Sequence, residues 1–289
     1  MRIQYLSDIH LEHYKIFTGE QLNPRQWIEP DPDADVLVLA GDIGNPSRTS
    51  YGLFLQWCAA NWPCVVIVAG NHEFYQGYSR NDSNHGTRYS ARMEALELIQ
   101  TVTRHYPNLH FLDRGSVLIR PGVRIFGCTL WSQIPADMRK YAVQGLNDFH
   151  QIPGATFEGY AEWHAKDLAW LAGELRAAKA AGESAIVVTH HLPTYQLIAE
   201  QYQNHPLNCC FATDLEALIL ETEPAAWLCG HSHSANMTTV GKTVLALNPH
   251  GYPGERVATR TRKAVLTVAL PQEGSWEEEL TGRNAGPTS

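Results

Sequence analysis

Histidines 231 and 233 flank one serine in the run LCGHSHSANM (228–237), where a short apolar stretch gives out. Two imidazoles that close suggest a metal, and a metal needs partners from elsewhere in the chain. Four other apolar runs end in suitable residues. SDIH carries Asp8 and His10, AGDIGN carries Asp42, AGNHE carries Asn71 and His72, and VTHH carries His190 and His191. Carboxylates, an amide oxygen and imidazoles without thiolate suit manganese, iron, zinc or cobalt better than copper(I) or calcium. Two carboxylates, an amide oxygen and four imidazoles make seven donors, too many for one tetrahedral zinc. They suit two ions roughly 3.5–4 Å apart that share a bridging carboxylate.

Residues so far apart in the chain need a scaffold that delivers them to one place. The runs IQYLS (3–7), VLVLA (36–40), CVVIVA (64–69), VRIFGCTLW (123–131), AIVVTH (185–190), AWLC (226–229) and TVLALN (243–248) read as strands buried on both faces. Helical patterns lie over 48–60, 87–105 and 156–181, and TDLE predicts a capping box from Thr213 to Glu216 at the start of another. Strands alternating with helices predict an α/β sandwich. Near the C-terminus, MTTVGKTVLALN and KAVLTVAL have little helix between them, which predicts antiparallel additions and a mixed sheet. In such sheets ligands bind outside the carboxyl ends of strands. On an extended segment, residues two apart project to one side, so Asp8 with His10 and His231 with His233 can each aim two ligands into a crevice. Glycines before Asp42, Asn71 and His231 permit tight turns.

The remaining composition narrows the setting. With 289 residues, 44% of them hydrophobic, the chain has ample length for a core. Residues 1–270 are read as a single domain and 271–289 as a polar, flexible tail. The net charge of −8 argues against extended nucleic-acid binding but not against a small anionic substrate, since a bound metal reverses the local field. The longest apolar runs are far too short to span a bilayer, and the opening MRIQYLSDIH has no secretory pattern, so a cytoplasmic location is expected. Residues 12–34, with EPDPDAD, are read as a surface loop, and 74–90 as a long polar loop. The six cysteines show no C-x-x-C spacing and are read as small buried hydrophobes, with a reactive pair at Cys209 and Cys210 as the alternative.

Taken in order, D-x-H, G-D, G-N-H-E, H and G-H-x-H across residues 8–233 resemble the calcineurin-like metallophosphoesterases. NDFHQI, WHAKDLAWL and NPHGYPGE resemble bacterial members of unassigned substrate. The resemblance implies a four-layer α/β/β/α sandwich with mixed β-sheets and the metal site at the carboxyl ends of the strands. It implies that Asp8, His10 and His233 hold the first metal, that Asn71, His190 and His231 complete the second, and that Asp42 bridges both. His72 would not be a ligand but would face the scissile ester oxygen as general acid. Members often carry an aspartate three residues after the G-D aspartate, where this chain has Asn45. The implied reaction is hydrolysis of a small phosphomonoester or phosphodiester by metal-activated hydroxide, with manganese, iron or zinc as the two ions. Glu73 or Asp42 would orient neighbouring imidazoles, and the choice between them stays open.

Blander readings apply to several residues. His191 should point away from His190 and support the structure, and His164 lies in a helical pattern. His250 is read as part of a turn with Pro249, Gly251 and Pro253, with phosphate contact as the alternative. Arg80, Arg88 and Tyr78 are read as a solvated loop face. The rival functions are a metal-binding interaction scaffold without catalysis and, among enzymes, a nuclease or cyclic-nucleotide phosphodiesterase.

Overall fold

A computed structural model describes residues 1–76, 92–257 and 260–269. The apolar runs form strands, and their unbroken hydrophobicity matches burial on both faces. Val36–Ala40 and Ala226–Cys229 have no exposed residue. The first sheet has the order β11-β1-β2-β3-β4, from Val265–Thr267, Arg2–Leu6, Val36–Ala40, Val65–Val68 and Leu109–Phe111. Strands β1 to β4 run parallel, and β11 closes the edge antiparallel to β1.

The second sheet has the order β5-β6-β7-β8-β10-β9. Its strands are Gly115–Arg120, Val123–Gly127, Ser184–Val188, Ala226–Cys229, Thr243–Leu247 and Asn236–Val240. Again the centre is parallel, while β5 and β9 pair antiparallel at the edges. Both sheets are therefore mixed. Three strands pair antiparallel; β5 with β6 and β9 with β10 do so through short hairpin connections, which parallel strands cannot use, whereas β11 returns from the far end of the chain to β1.

Alternation along each strand divides the apolar side chains among three layers. Ile3, Val36, Val38 and Val66 of the first sheet meet Ile125, Ile186, Val188 and Leu228 of the second. Leu37, Leu39, Val65 and Ile67 point the other way, onto helices α1 (Thr49–Asn61) and α2 (Arg92–Thr103) through Phe54, Leu55, Leu96 and Ile99. After the short helices α3 (Arg139–Gly145) and α4 (Asp148–Gln151), α5 (Phe157–Ala180) and α6 (Glu216–Thr222) cover the second sheet. There Leu171, Leu175 and Ile219 pack on Val187, Trp227 and Leu245. The result is the four-layer α/β/β/α sandwich. Each fully buried Val, Leu or Ile contributes about 1.5–3 kcal/mol, so three continuous layers hold the strand ends firmly in register.

Some local expectations change. Helix α6 starts at Glu216 with Leu215 as its cap and no side-chain cap bond, so the Thr213 capping box does not form. Thr213 instead accepts the N–H of Gln133 at 2.9 Å, and Glu216 accepts from Thr194 and Gln196. Residues 12–34 are not a detached surface loop, because Ile16, Trp27 and Ile28 are buried in the first outer layer. The long polar loop from 77 onward, with Tyr78, Arg80 and Arg88, and the tail beyond 269 lie outside the described residues. Among the described residues no helix is long and apolar enough to cross a membrane.

Candidate metal centre

The ligand-bearing loops leave the strand ends in an unusual conformation. Asp8, His10, Asp42, His231 and His233 all have positive φ, between 47° and 72°. The pairs two residues apart do converge, but not as neighbours on an extended segment. Left-handed residues at alternate positions curl the chain so that both side chains turn inward. Each such residue costs on the order of 1–3 kcal/mol and persists only where surroundings enforce it. Here the first two loops clamp each other, with Asp8 N–H donating to Gly41 O, His10 N–H to Asp42 O and Leu11 N–H to Ile43 O, at 2.9–3.0 Å.

Glycine is required at two of the turns. Gly41 has φ +85°, which a side chain resists, and a Cβ there would lie 2.5 Å from His190 Nδ1; Gly70 lacks space. A Cβ on Gly70 would lie 2.2 Å from Asp42 Oδ1.

Two sets of donor atoms converge at the strand ends. One comprises Asp8, His10 and His233, the other Asp42, His190 and His231, each with ligand atoms within 4.8 Å of one another. In the first, His10 Nε2 lies 3.0 Å from His233 Nε2, and His233 Nε2 lies 3.4 Å from Asp8 Oδ1. In the second, His190 Nε2 lies 3.3 Å from Asp42 Oδ2 and 3.1 Å from Asn71 Oδ1. Asp42 Oδ2 is also 3.9 Å from His10 Nε2, which puts this carboxylate between the sets. Every predicted ligand is thus brought to one place, from both sheets.

The outer nitrogens of three imidazoles are engaged. His10 Nδ1 faces Glu12 at 3.3 Å, His233 Nδ1 faces Glu255 at 2.8 Å, and His190 Nδ1 faces the carbonyl of Ala40 at 2.9 Å. With Nδ1 held from outside, each Nε2 is turned to the shared centre, where a bound ion would take the place of its proton. Asn71 is fixed likewise. Its Nδ2 donates to Asp148 Oδ1 at 2.7 Å and to Tyr75 Oη at 3.0 Å, so its Oδ1 is the atom presented to His190. The donor chemistry and the ring orientations fit a pair of divalent transition-metal ions.

Carboxylates sit where the spacing did not suggest them. Glu73 orients no imidazole. It accepts the backbone N–H of Gly70, Ile43, Asp42 and Gly44 at 2.7, 2.8, 2.9 and 3.3 Å and ties two ligand loops together. Glu12, Glu255 and Asp148 hold ligand side chains instead. Glu12 could have been found by extending the two-residue spacing of Asp8 and His10 one step further. Asp148 and Glu255 carry no such local signal.

His72 stands beside the clusters. Its Nδ1 is 2.9 Å from Glu12 Oε1, its Nε2 is 3.0 Å from the hydroxyl of Tyr252, and its N–H donates to Asp42 Oδ1 at 2.8 Å. Tyr252 also stacks on His10, with ring centroids 4.3 Å apart. Asn45 donates to Tyr75 O at 2.9 Å and accepts from Ser47 N–H at 3.0 Å. The PHGYPGE run reaches the site through Tyr252 and Glu255. His250 instead meets Tyr14 Oη at 3.4 Å. His191 is buried, with Nδ1 2.7 Å from Ser132 Oγ and its ring 4.0 Å from that of His231, which it supports.

Charge balance follows from this packing. Burial opposes a proton on His190, but Asp42 and Asp8 outweigh it and hold its pKa up at about 10. His233 is held at about 9 against burial by Asp8 and Glu255, and His72 at about 9 against burial by Asp42 and Glu12. His231, buried beside His190, is pushed down to about 3. Burial would raise Glu12, yet His10 and His72 draw it well below the usual carboxylate range.

A family model described as calcineurin-like phosphoesterase matches residues 1–235. An uncharacterised protein, L509, from Acanthamoeba polyphaga mimivirus is 27% identical over 274 residues, which cover 89% of this chain and 93% of that protein. Among solved structures, the phosphopantetheinyl hydrolase of Mycobacterium tuberculosis superposes with a TM-score of 0.60 at 16% identity. That match covers 87% of this chain and 89% of the other, and it is a likeness of fold.

Proposed function

The chain belongs to the calcineurin-like phosphoesterase family, and on that premise we propose that it hydrolyses a small phosphomonoester or phosphodiester at the strand-end cluster. Asp8, His10 and His233 would hold one metal ion, Asn71, His190 and His231 the second, and Asp42 both. The observation that carries this reading is the convergence of His10, His190 and His233 Nε2 on Asp8 and Asp42, with each Nδ1 held from outside. Manganese, iron or zinc suits this oxygen and nitrogen set. When bound, such ions supply Lewis-acid polarisation of the phosphoryl group and acidify water.

The chain's own groups complete the reaction. His72 would act as general acid, because Glu12 occupies Nδ1 and leaves Nε2 facing the cavity beside Tyr252. Such a proton donor contributes roughly 10²–10⁴-fold. Asp42 would hold both ions, and its Oδ1 accepts the His72 N–H and keeps that backbone in place. We also read residues 1–270 as one domain, since β11 completes the first sheet beside β1. A cytoplasmic setting accords with six free cysteines.

The test is to load the purified protein with manganese, iron or zinc and assay phosphomonoesters, phosphodiesters and cyclic nucleotides beside His72→Ala. Metal-dependent turnover that falls in His72→Ala with metal content retained supports the reading. Full activity in that variant overturns the acid role. No turnover of any ester favours a metal-binding scaffold instead.

A further inference from the structure

The cluster forms only the floor of a cavity of about 1120 Å³. Cavities of roughly 300–1,000 Å³ enclose most of a drug-sized ligand, so a phosphoryl group fills a small part of this one. Apolar surface begins right at the cluster. The Tyr75 ring lies 4.2 Å from that of His72, and the Phe211 ring lies 4.8 Å from that of His231. Leu146, Ile198 and Leu207 continue the wall, the last two from the 3₁₀ turns Tyr195–Leu197 and Pro206–Cys210 and their flanks.

Charge on these walls has the wrong sign for a polyanion. Among the described lining residues Arg256 is the sole Lys or Arg, against Glu200 on the wall and the carboxylates of Asp148 and Glu255, which are bonded to Asn71 and His233. Among the described residues a second or third phosphate, or a nucleic-acid backbone, would lie beside carboxylates with Arg256 as the one Lys or Arg to meet it. An uncharged chain would lie against Leu146, Leu207 and Phe211.

We infer that this cavity is a leaving-group subsite, selecting phosphate esters of extended, uncharged and partly apolar alcohols over nucleotides and polyphosphates. The inference rests on the phosphoesterase reading. In the reaction a water oxygen forms the new P–O bond and gives up a proton. The P–O bond to the alcohol breaks, and the departing oxygen takes a proton from His72 Nε2.

The test uses the full-length, manganese-loaded protein. Substrates are n-alkyl monophosphates from methyl to decyl, the matching methyl alkyl diesters, p-nitrophenyl phosphate, AMP and ATP. A buried methylene favours binding by about fourfold when fully enclosed. The expected slope is therefore about two- to fourfold in kcat/KM per methylene until the wall is covered, with ATP poorer than AMP. Leu207→Asn, and independently Leu146→Asn, should flatten that slope. The slope is read within each variant, so a general loss of activity does not mimic the effect. A flat slope for the unaltered protein, an unchanged slope in both variants, or a preference for ATP over octyl phosphate overturns the subsite. If p-nitrophenyl phosphate is turned over in those cases, the phosphoesterase reading stands. No turnover of any ester overturns that reading and the subsite together.

Discussion

Oε1 of Glu12 lies 2.9 Å from Nδ1 of His72 and 3.3 Å from Nδ1 of His10. One half-buried carboxylate oxygen therefore holds the rings of a proposed metal ligand and of the proposed acid. Asn45, the position at which this chain departs from the common family pattern, donates to the carbonyl of Tyr75. Glu12→Gln should cost esters with poor leaving groups on the order of 10²-fold, part of what a general acid contributes. p-Nitrophenyl esters need no proton and should lose much less. The readout is a steeper dependence of log kcat on leaving-group pKa; an equal loss for all esters refutes the assignment.

Asp42 and His72 should separate in their effects on metal. Asp42 Oδ2 lies within 3.9 Å of both His10 and His190 Nε2, so Asp42→Asn should lose metal and activity together. His72→Ala removes no proposed ligand and should keep its metal while losing roughly 10²–10⁴-fold in turnover of alkyl esters. Metal analysis after dialysis, paired with the assay, distinguishes the two.

Asp148 should act on metal affinity without contacting metal. Its Oδ1 accepts from Asn71 at 2.7 Å and from Tyr75 at 2.6 Å. Without it the Asn71 amide is free to turn its NH₂ inward. Asp148→Ala should weaken the second ion by about 10–100-fold, as is typical of groups that orient ligands, with the first ion little changed. Titration against a competing chelator reads this directly.

Glu73 should matter to stability before chemistry. Four backbone N–H groups point at its carboxylate, and Glu73→Gln would set an NH₂ against two of them. Each buried donor left without an acceptor costs about 1–3 kcal/mol. A loss of roughly 2–4 kcal/mol is expected in chemical denaturation of the metal-free protein. An unchanged midpoint would show that these loops hold themselves.

The ligand loops were readable because each proposed ligand follows a strand whose apolar run is unmistakable, as VLVLA precedes Asp42 and AWLC precedes His231. Central strands have little choice of partner once both faces must be buried. The edges were harder. β4 spans only Leu109–Phe111, and β5 alternates half-buried and exposed residues, so neither produces a continuous run. The groups that hold the ligands were hidden for another reason. Asp148 meets Asn71 across 77 residues, and Glu255 meets His233 only because the turn at 249–254 folds back over the cluster. Spacing along the chain reports local geometry, and these contacts are not local. The TDLE run shows the converse, since its capping pattern yielded to the bond between Thr213 and Gln133.

Asp8 accepts the N–H of His231, 223 residues further on, and His10 meets His233 across the same distance. Both proposed ligand sets include a residue from that late loop. A nascent chain can therefore build the whole first sheet except β11, and most of the second, before either ion has a complete seat. Capture of the proposed ions would then belong to the end of synthesis. Chains cut short before His231 would carry every earlier ligand and still lack a finished site, so incomplete products are inert by construction.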